Sequence, residues 1–363
     1  MFLYSQSDQS GSGTVVAEAR VRTFLAEAAR VFVLKPFTPH PLFINGHAQT
    51  LIGYAWPRRF RLRAKEDQDR LFEVAPGVRV LAHCRWQPDP RKHPTVVLWH
   101  GIEGSSDSVY MLATAQKAFR AGFNVVRVNL RNCGGTEHLT PTLYHGGMSE
   151  DLRAIAMELI EKDSLSRLFM IGFSLGGNLV LKLAGEFGFQ PPPQLLGACA
   201  VSPSVDLAAS ASTITLRSNW IYHQDFVRRL RKRIYLKQKL YPELYDTSEV
   251  HLVRTIRDFD DRYTAVAHGF KGADDYYQKA SAIRVIDGVQ IPTLIIHAQD
   301  DPFIPFEPLR NKALTDNPYI LLLAPEHGGH VAFVGTQKDG EDRFWAENRV
   351  VEFVQMIHAD FDH

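Results

Sequence analysis

The chain reads as an α/β protein, a mostly parallel, doubly wound sheet with a helical cap inserted between the fourth and fifth core parallel strands. Three observations predict this. Six short apolar runs recur with helical patterns between most of them: TVVLWH (95–100), FNVVRVNL (123–130), LFMIG (168–172), LLGACAVSP (195–203), PTLIIHA (292–298) and YILLLAP (319–325). Strands apolar on both faces are what a parallel sheet covered on both sides requires. Residues 204–288 break the alternation, with several helical patterns rich in Arg, Tyr and Asp and no comparable strand. A structureless loop of that length does not suit a compact domain. The segment therefore reads as a cap over the C-terminal ends of the strands, where open α/β sheets bind ligands.

In chain order, residues 1–40 form an N-terminal extension. Its Ser/Gly/Gln-rich stretch 5–13 is expected to be disordered, and Val15 to Leu34 follows as an amphipathic helix that ends before Pro36. INGHAQTLIGYA (44–55) suits a short helix. Arg59–Arg63, Leu71–Val74 and Val78–Trp86 alternate as antiparallel strands do at a sheet edge. Further helices are expected at Val109–Ala121, Met148–Lys162 and about Arg343–Ile357. The core is thus 41–203 and 289–363, and the cap 204–288.

The bulk numbers narrow the function classes. A length of 363 residues suits one large domain with an insertion. A hydrophobic share of 45% and a net charge of +1 give no reason to expect nucleic acid as a partner. Three cysteines, Cys84, Cys133 and Cys199, are odd in number and lack metal-type spacing, which suits a reducing compartment. No apolar run approaches the roughly 18 residues that span a bilayer. The start, MFLYSQSDQSGSG, has no basic region leading into an apolar one, so a cytoplasmic location is expected.

The chemistry centres on GFSLG (172–176). G-x-S-x-G alone is a weak signal. Here a buried strand precedes it, and Leu179, Val180, Leu181 and Leu183 follow at spacings a helix can bury. That context makes it a strand–turn–helix elbow of the α/β-hydrolase type, with the Ser174 hydroxyl at the apex. Gly172 and Gly176 let the backbone cross itself where a Cβ would clash. A serine needs a base to take its proton, and this fold supplies acid and base later in the chain, in the order Ser, Asp/Glu, His. The fifth strand runs into QDDPFIP (299–305) and the sixth is followed by EHGGH (326–330), in that order.

Within these loops, Asp301 is favoured as the acid because Pro302 fixes the chain after it. Asp300 reads as a solvated or turn-capping neighbour, and Asp206, past the fourth strand, is the alternative acid. His330, after two glycines, is the base, and His327 an exposed loop residue. No third ligand accompanies the two histidines to make a metal site. The oxyanion hole needs two backbone N–H groups. Leu175 supplies one at a helix N-terminus, and Ile102, between the glycines of HGIEGSS, the other.

The chain resembles the YheT-type branch of the α/β-hydrolases, which includes plant embryogenesis-associated and mammalian phospholipase-like members. NGHAQTL (45–51), HGIEGSS (100–106), RNCGG (131–135), GFSLGGN (172–178), DFDDRYTAVAHGF (258–270), DDYYQKAS (274–281), HAQDDPFIP (297–305) and HGGHVAF (327–333) carry the likeness. The resemblance implies a triad of Ser174, Asp301 and His330, and esterase or lipase activity on short- to medium-chain acyl esters without metal or cofactor. Asn132 and Ala332 stand where relatives often have glycine. An acyltransferase using the same acyl-enzyme is the nearest rival function, and a ligand-binding protein on a hydrolase scaffold is another.

One cap segment, Phe226 to Lys237, sets Phe226, Leu230 and Ile234 on one side of a helix, with Arg228, Arg229, Arg231, Lys232 and Arg233 over much of the rest. Either the apolar stripe packs and the basic face is solvated, or that face makes weak peripheral contact with anionic lipid headgroups.

Overall fold

The structure, a computed structural model, describes residues 10–58, 67–337 and 340–361. Helices α1 (Ser10–Val33) and α2 (Gly46–Ala55) precede an antiparallel pair, β1 (Gln68–Ala75) and β2 (Val78–Arg85). β3 (Thr95–Trp99), α3 (Val109–Arg120), β4 (Asn124–Val128), α4 (Ser149–Glu161), β5 (Leu168–Phe173), α5 (Leu175–Phe187) and β6 (Leu195–Val201) follow. Between β6 and the next strand the regular elements are all helical: α6 (Leu207–Ile214), α7 (Trp220–Leu240), α8 (Ile256–Phe259), α9 (Ala265–His268) and α10 (Ala273–Ala280), with shorter turns between them. The chain closes with β7 (Thr293–Ile296), α11 (Lys312–Thr315), β8 (Ile320–Leu323) and α12 (Trp345–Phe361).

The eight strands form one sheet in the order β1-β2-β4-β3-β5-β6-β7-β8, antiparallel only at β1/β2 and β2/β4. The doubly wound α/β arrangement follows from the strands themselves. Val97, Trp99 and Met170 face α4 and α5 on one side. Val96, Leu98 and Ile171 face α3 and α12 on the other. That is the period-2 alternation of a strand buried on both faces. β8, at the sheet edge, is only half-buried.

Two expectations need adjustment at the N-terminal end. α1 begins at Ser10, so residues 10–13 are helical and the rest of the stretch read as disordered lies outside the described residues. The strand read at Arg59–Arg63 also lies outside them. α1 is anchored to the core: Phe24, Leu25, Ala28 and Phe32 are buried, with the Phe24 ring 5.7 Å from that of Phe353 on α12. No described helix is long and apolar enough to cross a membrane.

The elbow is the tightest point of the sheet. A Cβ at Gly172 would lie 2.2 Å from the Gly176 carbonyl oxygen, and one at Gly176 2.4 Å from that of Trp99. Both obstacles are backbone, so no rotamer change relieves them. Gly172→Ala is therefore expected to lower stability by about 2–5 kcal/mol, read as a drop in the urea midpoint. A midpoint equal to that of the unaltered protein would mean the backbone crossing is looser than this.

Candidate active site

Ser174 sits between β5 and α5 with φ 53° and ψ −119°, a strained conformation for a residue with a Cβ. It lies at the C-terminal end of the sheet, where the loops after β7 and β8 also arrive. His330 Nε2 is 3.0 Å from Ser174 Oγ, and His330 Nδ1 is 2.8 Å from Asp301 Oδ2. The other oxygen of Asp301 accepts the amides of Phe303 at 2.8 Å and Ile304 at 3.1 Å. Burial pushes this carboxyl up, but the His330 imidazole, its hydrogen bond, His297 and the Phe303 amide outweigh that and hold its pKa below the ordinary value. An ionised Asp301 only accepts, so Nδ1 of His330 carries a proton and Nε2 is left to accept from the serine hydroxyl.

The neighbouring acids occupy other positions. Asp206 caps α6, accepting the Ala209 amide at 3.0 Å. Asp300 accepts the Gly329 amide at 3.0 Å and approaches His327 Nδ1 at 3.2 Å. It caps a turn, and the turn it caps is the one that presents His330. Three consecutive amides of that loop are fastened this way: Gly329 to Asp300, His330 to Thr50 Oγ at 2.9 Å, and Val331 to Ser202 Oγ at 3.0 Å. Thr50 belongs to NGHAQTL, a stretch with no role readable from sequence. Its neighbour Gln49 pairs with both the amide and the carbonyl of Val334. The α2 helix thus braces the histidine loop from outside the sheet.

Ile102 and Leu175 line the same cavity as Ser174 and His330. The amides either side of Ile102 are taken: Gly101 donates to Tyr110 Oη and Glu103 to Tyr144 Oη, both at 3.0 Å. The loop is pinned from beneath by His100. The Leu130 amide donates to its Nε2, so its proton sits on Nδ1 and points at the Gly101 carbonyl, 2.7 Å away. Burial lowers the His100 pKa to about 4, which keeps this tautomer neutral.

The cavity has a volume of about 840 Å³, its mouth included. Leu143, Leu207, Ile214, Phe226, Leu230 and Phe259 give it a largely apolar wall. α7 contributes more than the sequence suggested. Val227, Leu230 and Ile234 are buried, but so is Arg233, which helical spacing places on the basic face, and so is Lys237 at the end of the segment. Arg233 forks onto the Glu103 carboxylate with three contacts of 2.9–3.0 Å and also reaches the Asn132 carbonyl. Lys237 donates to Asn132 Oδ1 at 2.7 Å, and burial lowers its pKa to about 8. Asn132, at φ 62°, is in the left-handed region that glycine and asparagine favour. Of the remaining cations, Arg228 and Arg229 pair with Asp225, and Arg231 donates to the Val253 carbonyl. The basic face available to lipid is correspondingly smaller than the sequence implied.

The cavity also holds a buried acid outside the serine–histidine–aspartate chain. Asp260 accepts from Tyr277 Oη at 2.7 Å and from Thr264 Oγ at 2.8 Å, and burial raises its pKa from 3.8 to about 7. Among the described residues no cation pairs with it, and no group of three or more His, Cys, Asp or Glu residues is arranged to hold a metal ion.

Comparisons with known proteins identify the family and the fold. A sequence profile described as the alpha/beta hydrolase fold matches residues 94–335. The YheT protein of Escherichia coli (strain K12) is 30% identical over 322 residues, spanning 88% of this chain and 92% of that protein. A monoacylglycerol lipase of Saccharomyces cerevisiae is 31% identical over 278 residues, spanning 74% of this chain and 60% of its own length. Among solved structures, the Pyrococcus furiosus esterase Pf2001 superposes with a TM-score of 0.52 at 16% identity, over 82% of this chain and 95% of that one, a likeness of fold.

The raised pKa of Asp260 makes stability depend on pH in a defined direction. Below about pH 4 the carboxyl is protonated folded and unfolded alike, and has no effect. Between about 4 and 7 the unfolded chain ionises first, so stability falls as pH rises. Above about 7 the full penalty applies, at most about 4 kcal/mol. Asp260→Asn should therefore gain thermal stability relative to the unaltered protein on going from pH 5 to pH 8, by several degrees. A difference in melting temperature that is the same at both pH values would show that this carboxyl titrates normally.

Proposed function

Because the chain belongs to the YheT-type family of α/β-hydrolases, we propose that it hydrolyses carboxylic esters through a serine nucleophile and an acyl-enzyme. The observation that carries this reading is the hydrogen-bonded chain Ser174–His330–Asp301 opening into a largely apolar cavity. Ser174 Oγ attacks the ester carbonyl while His330 Nε2 takes its proton. Asp301 holds the imidazole tautomer and stabilises the imidazolium that forms. His330 then protonates the leaving alcohol, and water repeats the sequence to release the acid.

The negative charge that develops on the carbonyl oxygen is met by the amides of Ile102 and Leu175. Each such donor contributes on the order of 3 kcal/mol of transition-state stabilisation in comparable sites. The tyrosine bonds to Gly101 and Glu103 support Ile102 as the donor of its loop, since they engage its neighbours and leave its N–H for substrate. Helices α6 to α10 serve as the cap, and their apolar side chains receive the acyl chain. Short- to medium-chain acyl esters, acylglycerols among them, suit this cavity, and the likeness to a monoacylglycerol lipase supports that class.

Ser174→Ala should lower kcat on p-nitrophenyl esters by about 10³–10⁶-fold with an unchanged melting profile. Comparable activity in that variant would sink the scheme. Asp301→Asn should cost on the order of 10⁴-fold by favouring the wrong imidazole tautomer. Asp300→Asn keeps an oxygen for the Gly329 amide, so its loss should stay within about tenfold. Reversal of the two effects, in kcat measured side by side, would move the acid to Asp300.

A further inference from the structure

Two stretches singled out by sequence, DFDDRYTAVAHGF (258–270) and DDYYQKAS (274–281), have no part in the proposed chemistry. The fold brings them together on one wall of the cavity. Between α8 and α9 the helix widens into a π-turn over Asp260–Thr264, a distortion often found at functional sites. Asp260 and Thr264 from the first stretch, and Tyr276 and Tyr277 from the second, line the cavity with His145. The Asp260 side chain takes one hydroxyl on each oxygen, Thr264 on Oδ1 and Tyr277 on Oδ2. An ionised carboxyl offers about four acceptor positions, so two are left, and the protonated form adds an O–H donor.

His145 adds the opposite polarity. The Gly147 amide donates to its Nδ1 at 3.1 Å, and burial, with His268, Arg131 and Lys182 nearby, holds its pKa well below the ordinary value. The ring is therefore neutral with its proton on Nε2, an N–H donor. Its ring lies 5.6 Å from that of Tyr276, which in turn is 5.1 Å from that of Tyr277. The wall is thus continuous from a donor at His145 to an acceptor at Asp260.

An acyl chain laid along this wall would cover the unused acceptor positions of Asp260 and the His145 N–H without supplying partners, at about 1–3 kcal/mol for each group. A cation is a poor match, because Arg131 and Lys182 already bear on the His145 end. A hydroxyl is both donor and acceptor, so it can pair with either end of the wall. We propose that the wall formed by Asp260, Thr264, Tyr277 and His145 is a subsite for a free hydroxyl on the ester substrate, so that hydroxyl-bearing esters are preferred to plain ones. The inference rests on the ester-hydrolase reading of the same cavity. The hydroxyl comes either from a polyol on the alcohol side or from a hydroxylated acyl chain.

Matched pairs test it. Glyceryl monooctanoate is compared with propyl octanoate for the alcohol side, and methyl 8-hydroxyoctanoate with methyl octanoate for the acyl side. Binding of 1-O-octylglycerol against octyl propyl ether is measured by calorimetry, independently of hydrolysis. In the unaltered protein the hydroxylated member of one ester pair should be favoured by about tenfold or more in kcat/KM, the equivalent of one well-made hydrogen bond. In Tyr277→Phe and Asp260→Leu, each checked for a cooperative melt, that ratio should fall to about threefold or less. The pair that responds identifies the side. Absence of preference in both pairs, or a preference that survives in both variants, overturns the subsite. If no ester is cleaved, the hydrolase reading fails. The subsite then stands if the octylglycerol ether still binds at least about tenfold tighter than its plain counterpart, and falls if it does not.

Discussion

The close backbone crossing at the elbow is the constraint on which the rest depends. Gly172 and Gly176 bring β5, the start of α5 and the end of β3 within contact distance, and Ser174 is left at φ 53°. A non-glycine residue held there stores on the order of 1–3 kcal/mol. That strain persists because β5 pairs on both sides, with β3 and β6, and cannot shift without breaking either ladder. The Ser174 amide is itself tied to the Val201 carbonyl at 2.9 Å. The hydroxyl therefore projects from the sheet's C-terminal edge, and the loops after β7 and β8 meet it there. The two loops are joined by the Asp300–Gly329 and Asp301–His330 bonds, and α2 holds the second from outside.

Much of this was legible because the sequence expresses it locally. Strands such as Val96–Trp99 are apolar on both faces, and the periodicity of the helices between them is plain. Strand order and loop position single out Ser174, Asp301 and His330, and His330 lies within hydrogen-bonding distance of the other two. Less legible were residues whose partners are distant in the chain. Arg233 reads as part of an exposed basic face, because charge on a helix usually faces outward, and Lys237 carries no signal of its own. Their partners Glu103 and Asn132 are 130 and 105 residues away. Thr50 and Gln49 looked like ordinary helix residues for the same reason. Asp300 was placed as a turn-capping side chain, but that its turn is the His330 loop needs the folded chain.

The buried cations of α7 change how the helices over the cavity relate to the sheet. Glu103 follows Ile102, has φ 54°, and is held by Arg233 from above and by Tyr144 through both its amide and its carboxylate. Truncating one partner of such a buried pair leaves the other charged and uncompensated, at about 3–5 kcal/mol. α7 also faces the cavity through Phe226 and Leu230. One helix thus lines the cavity and, through Arg233, braces the loop that carries Ile102, so in the proposed reading the acyl site and the oxyanion hole share a support.

Asp260 follows a different logic. Arg233 and Lys237 are buried with several partners each, and their interactions tie separate elements together. Asp260 has only two hydroxyl partners, both from its own helical insertion, and no counter-charge among the described residues. Its elevated pKa records that ionising this buried carboxyl costs the folded chain stability that it keeps at low pH. Sites of this kind, where a local rule is broken without a structural gain, are where function is expected to act against stability. In the neighbouring wall Tyr276 Oη accepts the Gly146 amide at 2.8 Å, and Thr264 donates its hydroxyl proton to Asp260. Asp260 and His145 both line the cavity, one an acceptor and the other an N–H donor. In the proposed reading, the apolar side chains of α6 to α10 limit the hydrocarbon the site accepts, and this wall selects the polar group that hydrocarbon carries.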